Sequence, residues 1–311
     1  MAQYCFGVDI GGTTVKLGIF QTDGTLLDKW EITTHTENEG KAILPDIAQS
    51  VLDKLAERNI SKGDVIGVGV GVPAPVTGTG IVKASANIGW GYKDVKGELE
   101  ALTGIKTSVS NDANVAALGE MWLGGARGCR DLIMVTLGTG VGGGIIADGK
   151  IVAGANGASG EIGHINVNMS ETNTCGCGGK GCLEQYASAT GIARIAKRKL
   201  AEGTYSTVLK AETVTAKDVF DAFKVQDAAA IEVVTEAMNY LGYALSNMAF
   251  VTDPELIVIG GGVSKAGIVL LECVEQAYKK YAHFTSEKVK FALAELGNDA
   301  GICGAAKMVL C

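Results

Sequence analysis

The chain has 311 residues, of which 27 are lysine or arginine and 34 are aspartate or glutamate, so its formal charge is −7 at pH 7. This acidic balance argues against a nucleic-acid-binding surface, and a 47% apolar content excludes a disordered chain. The length predicts two domains, and 44 glycines without a collagen-like period indicate many tight turns or close approaches of the backbone to a ligand.

The first residues and the eight cysteines predict a cytoplasmic protein with no membrane contact. No basic segment precedes the first apolar stretch, and Asp9 interrupts that stretch. No apolar run is long enough to span a bilayer. We therefore expect neither a signal peptide nor a transmembrane helix, and we expect the cysteines to be reduced thiols.

Turn signals and apolar runs predict two copies of one opening motif. Residues 4–20 form two apolar runs joined by the glycine pair at 11–12, and the Asp-Gly pair at 23–24 is a hairpin signal. Residues 135–149 repeat this plan around Gly138. The repeat predicts two halves of one topology, with ligand phosphates held between two hairpin turns.

The remaining predicted elements alternate between helices and strands. In chain order they are a helix at 40–58, a strand at 65–72, a strand at 106–110, a helix from about 111, helices at 184–201, 215–224 and 227–250, a strand at 256–260, a helix at 265–281, a strand at 289–294 and a helix from about 299. This alternation predicts α/β layers with largely parallel sheets beyond each opening hairpin. No linker-like tract separates the halves, so we expect a hinge near residues 115–125.

Three glycine-rich turns are candidates for holding a nucleotide. The first turn follows Asp9, and its backbone N–H groups and hydroxyls could bind phosphate. Its candidate residues are Gly11, Gly12, Thr13, Thr14 and Lys16. The second contains Gly138, Thr139 and Gly140, and the third, at Gly261 and Gly262, ends a strand where an adenine face could pack. A plain hairpin remains the alternative for the first turn, a packed glycine strand for the second, and a tight strand–helix turn for the third.

A carboxylate stands at a predicted helix start in the segment from Ser110 to Asn114. Such a residue commonly caps the helix and complements its dipole, and that alternative stays open for Asp112. If a substrate hydroxyl lies against it, Asp112 can accept the proton during phosphoryl transfer.

A cluster of cysteines with one histidine predicts a metal site. His164, Cys175, Cys177 and Cys182 offer one imidazole and three thiolates, a donor set that selects Zn²⁺. Four protein ligands fill a tetrahedron, so the ion would be structural. The alternatives are unrelated thiols in a reduced loop, or a redox pair, which the single residue between Cys175 and Cys177 disfavours.

Polar residues near the cysteine cluster are candidates for binding sugar hydroxyls. Glu161 and Glu184 flank the cluster and, with His164, would form a rigid set of hydrogen-bond acceptors. Asn87 could add an amide that both donates and accepts. Ordinary surface charge is the alternative for the two glutamates.

Six motifs together resemble the ROK (repressor, open reading frame, kinase) family and, within it, the glucose-phosphorylating members. They are, in order, DIGGTTVK, NDANVAALGE, LGTGVGGG, GEIGH, CGCGGKGCLE and IGGG. The likeness runs from about residue 4 to the last predicted helix. It implies an α/β fold of two actin-like, ribonuclease H-like domains around a central cleft, as in the hexokinase, heat-shock ATPase and actin superfamily. We expect a small domain of residues 1–118 plus about 299–311 and a larger one of residues 119–298.

The resemblance also assigns roles by position. Asp112 matches the family's catalytic base, and Asn87, Asn111, Glu161, His164 and Glu184 match its sugar ligands. Asp9 would position Mg²⁺–ATP, the turns at Gly11–Thr14 and Gly138–Gly140 would hold its phosphates, and Gly261 and Gly262 would lie near adenosine. Ala74 and Ala86 depart from residues frequent in the family, which leaves the choice of sugar open.

The activity implied by the resemblance is ATP-dependent phosphorylation of glucose at its 6-hydroxyl. N-acetylmannosamine, fructose, mannose or allose remain alternative substrates, and a non-catalytic sugar-sensing regulator is a further alternative. Repressors of the family carry a helix-turn-helix before the first hairpin, which here begins at Tyr4, so we expect no DNA binding. A homodimer is usual among similar proteins.

Overall fold

The computed structural model of the protein describes residues 3–203 and 205–311 and divides into two compact units. Unit one comprises Met1–Arg130, Gly144–Gly160 and Glu295–Cys311, and unit two comprises Asp131–Gly143 and Glu161–Ala294. The predicted domains, residues 1–118 with 299–311 and residues 119–298, stay a prediction. Within the described residues, no helix combines the length and apolar character needed to cross a membrane.

The secondary structure alternates between strands and helices, as the sequence predicts. The elements up to residue 123 are β1 (Tyr4–Ile10), β2 (Thr14–Gln21), β3 (Leu26–Thr33), α1 (Glu37–Gly40), α2 (Ile43–Glu57), β4 (Val65–Val72), β5 (Ile81–Val82), β6 (Lys93–Asp94), α3 (Val95–Thr103), β7 (Thr107–Asn111) and α4 (Asp112–Leu123). Those that follow are β8 (Leu132–Leu137), β9 (Val141–Ala147), β10 (Lys150–Ile151), α5 (Glu184–Ala187), α6 (Ala189–Ala201), α7 (Ala216–Lys224), α8 (Ala228–Thr252), β11 (Leu256–Gly260), α9 (Ile268–Lys279), β12 (Lys290–Leu293) and α10 (Ala300–Met308).

The sheet of unit one has the strand order β3-β2-β1-β4-β7. Strands β1, β2 and β3 form an antiparallel meander, whereas β4 pairs in parallel with both β1 and β7. Nearly every residue of β4 is buried, as expected for a strand with a covered face on each side.

The second sheet repeats this order as β10-β9-β8-β11-β12. Strand β11 again pairs in parallel with its two neighbours, β8 and β12. Unit two holds this sheet, except that β10 and residues 144–147 of β9 are assigned to unit one. The predicted repeat is therefore confirmed: β8 corresponds to β1, and the hairpin turn at Gly138 corresponds to the one at Gly11.

Helix α10 covers the first sheet at unusually close range. A side chain at Gly7 of β1 would overlap the backbone carbonyl of Ile302, and one at Gly69 of β4 would overlap that of Ala305. Glycine at both positions thus permits backbone-to-backbone packing between helix and sheet. The core of unit one lies between β1, β2, β4 and helices α2 and α3, and the core of unit two lies between its sheet and helices α5 to α9.

The structure contains elements that the sequence analysis did not predict, and it divides one predicted helix. Strand β3 and helix α3 were not predicted. The helix predicted at 184–201 is divided into α5 and α6 because Ser188 is extended (φ −72°, ψ 167°) and its Oγ accepts a hydrogen bond from the N–H of Gly191. The hinge expected near residues 115–125 stays a prediction, and the helix predicted from about residue 111 is present up to Leu123.

Candidate active site

Helix α4 begins at Asp112, directly after strand β7. Asn111 caps the helix, since its Oδ1 accepts hydrogen bonds from the N–H groups of Ala113 (2.9 Å) and Asn114 (3.3 Å). Its Nδ2 donates to the carbonyl of Ala74 at 3.3 Å. Asp112 Oδ1 accepts from the Ala113 N–H at 2.8 Å, so this carboxylate is fixed at the positive end of the helix dipole.

Asp9 is a second carboxyl group in the same region and lies near the end of β1, opposite Lys16 of β2. Burial is the main cause that raises the pKa of Asp9 to about 6; the charge of Asp112 contributes to the rise, and Lys16 opposes it. A side chain at Gly301 of α10 would overlap the Asp9 carboxylate, so the glycine makes room for it. An oxygen ligand in these surroundings suits a hard divalent cation, whose charge would favour the ionised carboxylate.

The turn between β1 and β2 is held from one side by Thr34. Its Oγ1 donates to the carbonyl of Gly11 at 2.8 Å, and its N–H donates to the carbonyl of Thr13 at 2.9 Å. Asn87 lies beside the same turn, because a side chain at Gly12 would come within 3.4 Å of the Asn87 carbonyl. The turn is thus shaped by backbone packing that the sequence motif alone does not reveal.

Asp9, Ala74 and Asn111 lie at one edge of the first sheet. Strands β1, β4 and β7 are parallel, so their carboxyl ends meet at that edge. Asp9 lies near the end of β1, Ala74 just after β4 and Asn111 at the end of β7. Such an edge is where open α/β sheets bind their ligands.

In unit two, the turn at Gly138–Gly140 is tied to the start of helix α6. The N–H of Ala189 donates to the carbonyl of Gly138 at 2.8 Å, and Thr190 Oγ1 donates to the carbonyl of Thr139 at 2.7 Å. Sequence reasoning missed Thr190, which lies in the first turn of α6, two residues after the cap Ser188. These bonds fix the orientation of the turn that we predict to hold phosphate.

The structure brings His164, Cys175, Cys177 and Cys182 together. Their four potential ligand atoms all lie within 4.8 Å of one another. The distance from His164 Nδ1 to Cys175 Sγ is 3.9 Å, and that from Cys177 Sγ to Cys182 Sγ is 3.6 Å. Two thiolates on one tetrahedral Zn²⁺ lie about 3.8 Å apart, so both the donor set and the spacing fit this ion.

Glu161 and Glu184 adjoin the cysteine cluster. Glu161 Oε2 lies 4.0 Å from His164 Nε2. Glu184 Oε1 lies 3.7 Å from Cys175 Sγ, and its Oε2 accepts a hydrogen bond from the N–H of Val141 at 3.1 Å. Glu184 therefore links the cluster to the glycine-rich turn that precedes β9.

A cavity of 350 Å³ lies beside the third glycine turn, within unit two. Phe220 and Val263 supply apolar walls, Lys217 and Lys265 lie at its polar side, and Gly262 contributes backbone. Gly261 has a φ of +83°, which only glycine adopts readily, and it turns the chain after β11. An apolar slot with lysines at its rim suits an adenine base and its attached phosphates.

The predicted sugar ligands are divided between the units. Asn87, Asn111 and Asp112 belong to unit one, whereas Glu161, His164 and Glu184 belong to unit two. Their joint action on one sugar stays a prediction, as do the individual roles.

The two repeated α/β units, each opening with a glycine-turn hairpin, define a member of the two-domain actin-like sugar kinase fold, as the sequence predicts. The chain belongs to the ROK family, whose model matches residues 5–311. It is 46% identical over 313 residues to a glucokinase of Halalkalibacterium halodurans, covering 99% of this chain and 95% of that relative.

Two solved structures have the same fold. A ROK hexokinase from Thermus thermophilus is 30% identical with a TM-score of 0.82, covering 98% of this chain and 97% of that one. A ROK family glucokinase from Streptomyces griseus, solved in complex with glucose and AMPPNP, is 31% identical with a TM-score of 0.73, covering 98% of each chain.

Proposed function

We propose that this protein transfers the γ-phosphoryl group of ATP to the 6-hydroxyl group of glucose. The observation that carries the proposal is the placement of Asp112 at the start of α4, near Asp9, at an edge where parallel strands end. The 46% identity with a glucokinase over nearly the whole chain supports glucose as the acceptor.

Asp112 acts as the general base. The 6-hydroxyl oxygen attacks the γ-phosphorus, its proton passes to the Asp112 carboxylate, and the bond to the bridging oxygen of ADP breaks. Asn111 keeps the carboxylate in place by capping the helix and bonding to Ala74. Because phosphoryl transfer relies mainly on alignment and charge stabilisation, this fixed geometry matters more than a shifted pKa.

Three glycine turns are the candidate groups for ATP. Backbone N–H groups at Gly11–Thr14 and Gly138–Gly140 bind the phosphates, Lys16 adds positive charge, and the cavity beside Gly261 and Gly262 holds adenine. Asp9 is the residue that would hold Mg²⁺, directly or through water, and the bound ion would offset the negative charge of the phosphates.

The sugar site depends on a structural Zn²⁺ held by His164, Cys175, Cys177 and Cys182. Bound zinc would hold in place the segments that carry Glu161 and Glu184. These two carboxylates accept hydrogen bonds from sugar hydroxyls, and the His164 ring nitrogen that does not bind the ion carries a proton and donates one. Asn87 and Asn111 provide amide groups for the remaining hydroxyls. A site built from hydrogen-bonding groups rejects sugars that leave one partner unpaired, by about 1–3 kcal/mol per group.

A panel of hexoses tests the proposal. We expect glucose to give the highest kcat/KM among glucose, mannose, fructose, allose and N-acetylmannosamine in an ADP-coupled assay, with little ATP hydrolysis when no sugar is present. A higher kcat/KM for another hexose would assign a different substrate. Sugar binding without turnover of any hexose would favour a sensor.

We also propose a cytoplasmic homodimer. A cluster of thiolates that must stay reduced supports the cytoplasmic location.

Exposed aromatic side chains on unit two support the homodimer. Tyr243 packs edge-on against Tyr281 with ring centroids 5.4 Å apart, and Phe250 and Phe284, which lie nearby in sequence, are also exposed. Light scattering should give twice the monomer mass, and Phe250→Ser should lower it.

A further inference from the structure

The cysteine loop is flanked by a polar cluster that the proposed reaction does not use. We call residues Cys175–Cys182 the metal loop. Glu171 precedes it, Gln185 and Tyr186 follow it on α5, and Arg194 faces these residues from α6.

Gln185 joins the two ends of the metal loop. Its Oε1 accepts a hydrogen bond from the N–H of Cys182 at 3.1 Å, and its Nε2 donates to the carbonyl of Asn173 at 3.0 Å. One side chain therefore spans the backbone on both sides of the ligand cysteines, which limits how far the loop can open.

Glu171 and Arg194 extend this connection to helix α6. Glu171 Oε1 accepts from the N–H of Asn173 (3.0 Å) and from its Nδ2 (2.8 Å). Arg194 Nη1 donates to Glu171 Oε2 at 2.9 Å, and its Nη2 donates to the carbonyl of Gln185 at 2.9 Å. The Arg194 guanidinium thus forms hydrogen bonds to the residues before and after the metal loop.

Tyr186 completes the cluster. Its hydroxyl donates to Glu171 Oε2 at 2.7 Å, and the Arg194 guanidinium lies 5.0 Å from the centre of its ring. The Asn173 N–H and the Tyr186 hydroxyl are the main causes that lower the pKa of Glu171 to about 2, so Glu171 stays ionised at neutral pH. Burial raises the pKa of Tyr186 to about 12, so its hydroxyl stays a donor.

Glu171, Tyr186 and Arg194 also line a cavity of 430 Å³, but the charged groups around it are already paired. Arg194 pairs with Glu171, and Arg198 pairs with Glu236. An anionic ligand would have to displace these carboxylates, so the arrangement favours a structural role over a binding site.

We propose that Glu171, Gln185, Tyr186 and Arg194 form an outer clamp that keeps the metal loop closed around its ion and holds the neighbouring Glu184 toward the sugar. This inference rests on the zinc site of the proposed function. Hydrogen bonds outside the ligand set orient the ligands of metal sites, and losing them costs about 10–100-fold in metal affinity. These four are positioning residues, because none is a metal ligand or a proposed sugar ligand.

The test measures zinc release without substrates. Purified holoenzyme is mixed with a chromogenic chelator at neutral pH, and the rate of zinc transfer is compared among wild type, Gln185→Met, Tyr186→Phe, Arg194→Met and Arg198→Met. Arg198 lies one turn further along α6 and pairs with Glu236, so Arg198→Met is the matched control. Circular dichroism melting identifies any variant that fails to fold, and Tyr186→Phe, which removes one hydroxyl, is the mildest change.

We expect release about tenfold faster or more for Gln185→Met and Arg194→Met, a smaller increase for Tyr186→Phe, and the wild-type rate for Arg198→Met. The KM for glucose should rise in the same order while the KM for ATP stays constant. Wild-type release rates in folded Gln185→Met and Arg194→Met would overturn the clamp alone, since the wild-type enzyme would still hold zinc and phosphorylate glucose. Wild-type protein without zinc would overturn the clamp and the zinc assignment together.

Discussion

The carboxyl group of Asp9 lies close enough to Asp112 that the charge of Asp112 adds to burial in raising the pKa of Asp9 to about 6. Both groups lie at the same edge of the first sheet, where phosphate and its cation are expected. An ionised Asp9 is therefore unfavourable in the protein without ligand and becomes favourable when a cation is bound.

Replacing Asp9 by asparagine should stabilise the ligand-free protein. The native pKa exceeds the ordinary value of 3.8, so the native state binds more protons than the unfolded state between 3.8 and about 6. The stability of the protein therefore falls as the pH rises across this interval and stays lower above it. At pH 8 we expect Asp9→Asn to raise the free energy of unfolding by about 2–3 kcal/mol, and at pH 4 the gain should vanish. Urea unfolding of both proteins at pH 4 and pH 8, without nucleotide or magnesium, measures the free energy of unfolding. The exposed Asp221→Asn should show no such gain, and a less stable Asp9→Asn at pH 8 would contradict the argument.

Replacing Asp112 by asparagine should abolish most turnover while sparing sugar binding. A general base contributes about 10²–10⁴-fold, and asparagine can still accept the hydrogen bond from Ala113. We expect kcat to fall by that factor with little change in glucose affinity by calorimetry. Asp94→Asn is the matched control, because Asp94 also stands at a helix start and accepts from Gly97 at 2.9 Å. An unchanged kcat in Asp112→Asn, under conditions where chemistry limits the rate, would refute the role of Asp112 as the general base.

Removing two metal ligands should damage the sugar site. The double variant Cys177→Ser/Cys182→Ser should contain no zinc and should bind glucose at least about tenfold more weakly, because Glu184 adjoins the cluster. Elemental analysis and calorimetry measure both quantities. Cys311→Ser, at an exposed cysteine, should keep wild-type zinc and affinity. Full glucose affinity in a folded, zinc-free double variant would rule out the coupling.

Replacing Thr190 by valine should weaken ATP binding selectively. The variant loses the hydroxyl that donates to the Thr139 carbonyl, and one such hydrogen bond is worth about 1 kcal/mol, or roughly fivefold in affinity. We expect a higher KM for ATP and an unchanged KM for glucose. Thr190→Ser, which keeps the hydroxyl, should restore the wild-type KM, and a failure of serine to do so would show that the methyl group matters instead.

Replacing the buried Glu120 by glutamine should destabilise the fold. The Glu120 carboxylate accepts from the N–H groups of Gly125 (2.9 Å), Glu295 (3.0 Å) and Leu296 (2.9 Å). An amide has one acceptor oxygen, so at least one buried N–H loses its partner, and we expect a loss of about 2–4 kcal/mol in unfolding free energy. Glu275→Gln, in an exposed pair with Lys279, should change it by less than about 0.5 kcal/mol. Equal effects of Glu120→Gln and Glu275→Gln on the free energy of unfolding would contradict the stabilising role of the Glu120 carboxylate.

The features that could be predicted from the sequence are local ones. The four cluster residues lie near one another in the chain, and the two hairpins repeat one pattern of apolar runs and glycine turns. The alanine-rich run predicts helix α4, but the sequence analysis offered Asp112 as the possible cap, whereas the structure has Asn111 in that position. Each of these signals is complete within about twenty residues.

The features that escaped prediction depend on distant parts of the chain or on weak patterns. Glu120 is fully buried only because Glu295 and Leu296 supply N–H groups from far along the chain. Strand β3 lies at the edge of its sheet and has no fully buried residue, so its apolar pattern is faint. The Glu171–Arg194 pair joins the segment before the cysteines to helix α6, and no sequence motif predicts that contact.

Helix α10 governs when unit one can be completed during synthesis. It rests on Gly7 and Gly69, near the beginning of the chain, yet residues 300–308 leave the ribosome after every residue of unit two. Until then, the sheet face that α10 covers has no partner in the growing polypeptide. The part of the protein that is translated first is thus the part that finishes folding last, and a nascent chain that stalls before residue 300 keeps an apolar face open to chaperones or to aggregation.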